Sequence, residues 1–335
     1  MSEIVLPFHR SGDGTGAGPA PDVAAMVAEL IRVDGTAGAR RAAPEALRAV
    51  GAARRLLRTP AGAGAAPREA LAELFEVAAW ILFDAELHGA SYALNRQALA
   101  LARGLPPEQR SIEWLVLSVL SMQQAHLGRP GEALRISSAV LAGRDLPDRV
   151  AAIFHVREAR AHAQLRRKRA AARAMSRARE LLGDGSATAR DPAWTWWFDQ
   201  SELVGHQGLA LADLGDLEGA VSCLREATEA GDAPAYRSLF SAELAAVHAR
   251  AGAWREADAW LSALVESAPA MGSTRALNSL ARATRIVGRG RGVPRGLRDT
   301  SGYLAEVLRK EIPLRDPAQR LWLPSQFGLR PDPSP

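Results

Sequence analysis

The chain has 335 residues, with 42 Lys and Arg against 37 Asp and Glu, a net charge of +5, and 47% hydrophobic residues. A single cysteine, Cys223, excludes an internal disulfide and any metal site built from several cysteines. No apolar run is long enough to span a bilayer, and the first residues lack the pattern of a signal peptide. We therefore expect a cytoplasmic protein, and the abundance of Ala, Leu and Arg favours helix throughout.

The predicted elements follow one another simply along the chain. Residues 1–21, which include SGDGTGAGPAP, are predicted to be a disordered lead, and residues 22–58 a short N-terminal helical segment. The small residues of TPAGAGAAP predict a linker at 59–67. Helices then alternate with short turns over 68–310, and a proline-rich tail covers 311–335.

Two stretches of this helical region have the same pattern. ADLGDLEGAVSCLREATEAGDAP and ARAGAWREADAWLSALVESAP both place an alanine a few residues after a turn glycine, with a large apolar residue four positions later. The anchoring alanines are Ala220 and Ala257, earlier copies are anchored on Ala133 and Ala171, and a weaker copy spans 69–102. This spacing fits a helix pair in about 34 residues. We predict an all-α fold, a tetratricopeptide-like α-solenoid of about five helix pairs.

Three tryptophans fall within four positions in DPAWTWWFDQSEL, at Trp194, Trp196 and Trp197. Asp191 followed by Pro192 predicts a helix start, which would place the tryptophans at the edge of the first helix of the Ala220 repeat. Packing between repeats is the favoured interpretation. A wall of a ligand site and a platform for base stacking are the alternatives.

The string PAWTWWFDQSELVGHQGLALADLGD, together with AAWILFDAEL and REARAHAQL, resembles the C-terminal tetratricopeptide region of actinobacterial helix-turn-helix regulators of the Xre type. The resemblance covers about residues 28–310. In that family a DNA-binding domain precedes the repeats, and the residues before 28 are too few for one. The resemblance thus implies a sensing or docking array in transcriptional control, without its own DNA-binding activity.

A solenoid of this kind would offer a concave groove lined by the first helix of each pair. Arg160 and Arg250 could hold a carboxylate, and Glu202 and Asp213 could accept hydrogen bonds from an amine. The complete set of predicted groove residues is Met122, His126, Arg160, Gln164, Glu202, Leu209, Asp213 and Arg250. Ordinary solvated groove residues are the alternative interpretation for all of them.

Four arginines, Arg166, Arg169, Arg173 and Arg177, recur at steps of three and four and predict a basic stripe on one helix. Such a stripe could contact phosphates, although a solvated outer face is the more common meaning. His155 and His162 are seven residues apart, which does not suit metal ligands on one helix. We predict no catalytic residues, no metal and no cofactor.

The sequence therefore predicts a non-catalytic repeat protein that influences transcription by binding in its groove. The expected occupant is a protein partner, which could be a DNA-binding regulator, or a small effector or peptide. Nucleic acid bound through the stripe and through the basic loop RGRGVPRGLR at 289–298 is the alternative. No membrane contact is expected, and a homodimer stays open.

Overall fold

In a computed structural model, which describes residues 22–62, 64–143, 145–229 and 235–312, the chain is all-helical. The described residues form fourteen α-helices and five short 3-10 segments and contain no β-strand, so the predicted all-α class is confirmed. The lead at 1–21 and residues 313–335 of the tail lie outside this description. The helices are α1 (Val23–Ala37), α2 (Ala39–Leu56), α3 (Ala65–Asp84), α4 (His88–Arg103), α5 (Ser111–His126), α6 (Pro130–Leu141), α7 (Asp148–Gln164), α8 (Lys168–Leu182), α9 (Gln200–Leu214), α10 (Leu217–Glu229), α11 (Ser238–Ala251), α12 (Trp254–Ser267), α13 (Thr274–Arg289) and α14 (Arg295–Glu311).

Successive helices pack in neighbouring pairs, and the anchoring alanines all occupy the same position within a pair. Ala133, Ala171, Ala220 and Ala257 are each the fourth residue of the second helix of a pair, in α6, α8, α10 and α12. All four are at most 3% exposed. A small side chain at this position lets the two helices of a pair approach closely, which is why the spacing was visible in the sequence.

The turn inside each of these pairs also repeats. The residue two positions before the second helix has a positive φ in five consecutive pairs. Glycine occupies this position at Gly128, Gly215 and Gly252, whereas Glu86 and Arg166 occupy it in the other two. Glycine adopts this left-handed conformation without steric cost, and other residues do so only when something holds them there.

The number of helix pairs differs from the expected one. Helices α3 to α14 form six pairs, and the pair α13 and α14 had not been recognised as a repeat. Its second helix has Arg298 at the fourth position, where α6, α8, α10 and α12 have alanine and α4 has Ser91. Without the small anchor, this pair gives no match to the repeat pattern.

The N-terminal helices continue the packing of the array. Val27 and Leu30 of α1 and Val50 of α2 belong to the same buried core as Leu74 and Phe75 of α3. Residues 59–67 contain a 3-10 turn at Pro60–Gly62, and α3 already begins at Ala65.

The tryptophan string forms a separate short element. It makes a 3-10 turn, Ala193–Trp197, and α9 begins only at Gln200, so the predicted helix start at Asp191 and Pro192 is wrong. The actual cap is Asp199, whose carboxylate accepts a hydrogen bond from Glu202 N at 2.8 Å. Trp194 is buried in the core that α7, α8 and α9 share, and Trp196 is 44% exposed.

The two ends of the described array meet. The backbone of Arg40 in α2 donates to Gly272 O, 2.8 Å away, just before α13. The Arg40 guanidinium lies 2.7 Å from Glu311 at the end of α14, and Trp80 of α3 packs edge-on against Tyr236, with ring centroids 5.9 Å apart. The N-terminal helices therefore contact the C-terminal ones, which closes the row of helix pairs. The first helix of each pair faces the interior that this closure creates.

One close approach inside the array leads to a direct prediction. A Cβ added to Gly205 in α9 would lie 2.7 Å from Cε1 of Phe240 in α11, and closer still to two other ring atoms. Gly205→Ala should therefore lower the free energy of unfolding by about 1–3 kcal/mol through overpacking. Gly302→Ala in α14 is the matched control, since its Cβ would meet open space and should stabilise by about 0.5–1 kcal/mol. Urea denaturation of both variants measures these changes in the free energy of unfolding. A Gly205→Ala protein as stable as wild type would contradict the close packing of α9 against Phe240.

Candidate functional site

Polar side chains of the first helices contact one another on one side of the array, which we call the inner face. Two of the predicted groove residues meet there directly: Arg160 of α7 forms an ion pair with Asp213 of α9 through Nε and Oδ2. Both side chains are 26% exposed. The structure thus brings Arg160 and Asp213 together as each other's partners.

Glu202 is at the centre of a buried charged cluster with Arg157, His206 and Arg237. Glu202 Oε1 lies 3.3 Å from His206 Nε2, and Glu202 Oε2 lies 3.3 Å from Arg237 Nε. The Arg237 guanidinium also pairs with Asp199 at 2.7 Å. All four cluster residues are less than 10% exposed, so their charges interact in a poorly solvated environment.

Arg157 forms no ion pair among the described residues, whereas Arg237 pairs with two carboxylates. Its NH1 lies 3.2 Å from His206 Nε2, its guanidinium lies 5.9 Å from the ring centroid of Trp197, and its buried Nε has no hydrogen-bond partner among the described residues. Burial lowers the pKa of Arg157 to about 10, although Glu202 acts in the opposite direction. The positive charges of Arg275 and Arg160 also lower it, so three arginines converge here.

The contacts of His206 Nε2 compete with each other. An arginine only donates, so the contact with Arg157 needs an unprotonated Nε2, whereas a hydrogen bond to Glu202 needs a protonated one. Burial lowers the pKa of His206, and the charge of Arg157 lowers it further, although Glu202 raises it. The neutral imidazole is therefore favoured at neutral pH, and its tautomer decides which of the two contacts is a hydrogen bond.

The inner face continues from this cluster to the closure of the array. Asp84, the last residue of α3, is fully buried and accepts hydrogen bonds from Arg275 Nε at 2.6 Å and Ser273 Oγ at 2.9 Å. The Arg275 guanidinium lies over the rings of Phe83 and Trp80, at 4.6 and 5.1 Å from their centroids. This buried ion pair joins helices α3 and α13.

The other predicted groove residues have different surroundings. Leu209 is 4% exposed and belongs to the core between α9, α10 and α11, so it does not line an open groove. Met122 is partly buried on α5, and Gln164 has a buried Oε1 without a hydrogen-bond partner among the described residues. Arg250 donates to Ala212 O at 2.8 Å near the end of α9. His126 lies 2.9 Å from Glu86, in a separate cluster.

The predicted basic stripe is shorter than expected. Arg169, Arg173 and Arg177 are exposed on α8, and Arg177 pairs with Glu180 at 3.1 Å. Arg166 is also exposed, but it occupies the left-handed turn position before α8 and is not part of the helix. The stripe on α8 thus consists of three arginines.

Several inner-face residues had no recognisable signal in the sequence. Arg157, His206 and Arg237 become a cluster only when α7, α9 and the turn before α11 pack together, and Asp84 and Arg275 are 191 positions apart. The sequence shows only that charged residues stand among apolar ones on these helices, which does not identify their partners.

Comparison of the sequence with protein-family models and with curated proteins gives no match. Within the described part of the chain, no helix has the combination of length and apolar character that a membrane span requires.

Proposed function

We propose that this chain is a tetratricopeptide-like repeat protein that binds a protein partner, or a small effector or peptide, on its inner face and thereby influences transcription. The repeated small residue at the fourth position of the second helices and the repeated left-handed turns support the repeat assignment. In this proposal the helical array does not catalyse a reaction.

One observation carries the binding role: three arginines approach one another on the inner face, and one of them is incompletely paired. Arg157 is buried, its Nε lacks an acceptor, and Arg160 and Arg275 are close enough for their charges to act on it. Burying positive charge is costly unless an anion compensates it. A ligand that presents a carboxylate to Arg157 would complete the cluster through charge-assisted hydrogen bonds.

The test compares two arginine variants of the full chain. Arg157→Gln removes one of the three arginine charges on the inner face, and Arg173→Glu is the control on the exposed face of α8. Tagged wild type and variants are recovered from the native host after nuclease treatment, and bound proteins and small molecules are identified by mass spectrometry. We expect one molecule bound stoichiometrically to wild type and Arg173→Glu, and its recovery reduced at least ~10-fold with Arg157→Gln.

Three outcomes contradict the proposal. Equal recovery with Arg157→Gln would mean that the inner face does not bind the molecule. Loss after nuclease treatment and with Arg173→Glu would favour nucleic acid on the exposed arginines. An unchanged transcript profile in a strain carrying Arg157→Gln, despite lost binding, would contradict the role in transcription. Melting curves of each purified variant separate loss of binding from loss of folding.

A further inference from the structure

Three side chains from different elements converge at the end of the first two pairs of the array. Glu86 lies in the turn between α3 and α4, His88 is the first residue of α4, and His126 is the last residue of α5. The two carboxylate oxygens of Glu86 lie 2.9 Å from His126 Nε2 and 3.3 Å from His88 Nε2. One potential ligand atom from each residue lies within 4.8 Å of the other two.

We propose that Glu86, His88 and His126 bind one divalent transition-metal ion, with Zn²⁺ as the ion that fits best. Carboxylate and imidazole are ligands that Zn²⁺ binds at about 2.0–2.2 Å, which places neighbouring ligand atoms of a tetrahedral site about 3.3 Å apart. The two carboxylate–imidazole separations are already close to this value. The site concerns metal binding alone and does not depend on what the inner face binds.

The backbone at Glu86 supports a specific role for this side chain. Glu86 has φ of 63°, at the turn position that glycine occupies in three of the five comparable turns. A hydrogen bond from Leu87 N to Leu82 O, 2.8 Å long, holds this turn against the end of α3. A glutamate in this conformation directs its carboxylate at both histidines, which glycine cannot do.

The site also has an accessible side. The His126 side chain is 35% exposed, while the ring of Phe83 packs against both imidazoles, with centroids 5.6 Å from His88 and 5.2 Å from His126. Three protein ligands with one open side leave a fourth coordination position for water or an external donor. The two histidines lie on different helices, so the spacing of histidines along one helix does not reveal this site.

The experiment titrates Zn²⁺ into the untagged, chelator-treated full chain by isothermal titration calorimetry, and Co²⁺ with visible absorption as the reporter of coordination. We expect one Zn²⁺ per chain and the intense visible bands of four-coordinate Co²⁺. His126→Ala and Glu86→Gln should each weaken Zn²⁺ binding at least ~10-fold and abolish the Co²⁺ bands. Zn²⁺ should raise the melting temperature of the wild type but not of these two ligand variants.

His155→Ala is the matched control. His155 also contacts a glutamate, Glu158, at 3.3 Å, but among the described residues no second histidine brings a ligand atom within 4.8 Å of both. This variant should bind Zn²⁺ as wild type does. Melting curves of the metal-free variants show whether each folds, and His88→Gln provides a second ligand variant should His126→Ala not fold. Absence of Zn²⁺ binding, or binding that is unchanged by both Glu86→Gln and a histidine ligand variant, would overturn the proposal.

Discussion

Asp84→Ala should lower the free energy of unfolding by about 3–5 kcal/mol, because it leaves the guanidinium of Arg275 buried without its acid. Asp84 is fully buried, Arg275 is 6% exposed, and their Oδ1 and Nε atoms are 2.6 Å apart. The same carboxylate accepts the hydrogen bond from Ser273 that holds the start of α13. Urea denaturation measures the loss, and small-angle X-ray scattering should show a larger radius of gyration if the closure opens.

Two further variants separate the buried charge from the packing. Arg135→Ala removes an ion pair with Glu132 in which both side chains are more than half exposed, and it should change the free energy of unfolding by less than about 0.5 kcal/mol. Asp84→Leu combined with Arg275→Met replaces the pair by apolar groups and should recover much of the lost stability. An Asp84→Ala protein within about 1 kcal/mol of wild type would mean that this pair does not hold the ends together.

The repeated part of the fold could be predicted because its determinants are local. A small residue where paired helices approach and a glycine in the turn both recur at fixed spacing, so Ala220 and Ala257 marked their helices correctly. The pattern failed for α13 and α14, where Arg298 replaces the small residue. The repeat pattern was also incomplete at Arg166, because an arginine at the left-handed turn position does not predict a turn as glycine does.

The candidate sites could be predicted only in part, because their determinants are not local. Glu202 and His126 were identified from their positions on first helices, but Arg237 and Glu86, which pair with them, lie on other elements. Arg160 and Asp213 were each expected to receive a ligand, and instead they pair with each other across α7 and α9. Whether a charged side chain meets a ligand or a neighbour depends on how far the array curves, and the closure that sets this curvature joins residues nearly 200 positions apart.

Glu76→Gln should stabilise the protein by roughly 4 kcal/mol at pH 8.5 and by less than about 1 kcal/mol at pH 5. Glu76 lies on α3 and is 3% exposed. Burial, together with the neighbouring carboxylate of Glu73, raises its pKa to about 8. The folded protein therefore keeps a proton on Glu76 between pH 4.5 and about pH 8, whereas the unfolded chain releases it.

Because the folded state binds more protons in this range, the free energy of unfolding of the wild type falls as the pH rises, by up to about 1.4 kcal/mol per pH unit. Glutamine does not ionise, so the free energy of unfolding of the Glu76→Gln variant does not fall for this reason. The difference in the free energy of unfolding between the two proteins should grow up to about pH 8 and then level off. Measurements at pH 5 are the internal control, since both side chains are then neutral in the folded state. A stability difference that does not change between pH 5 and 8.5 would mean that Glu76 is ionised in the folded protein, which requires a compensating positive charge or water beside this face of α3.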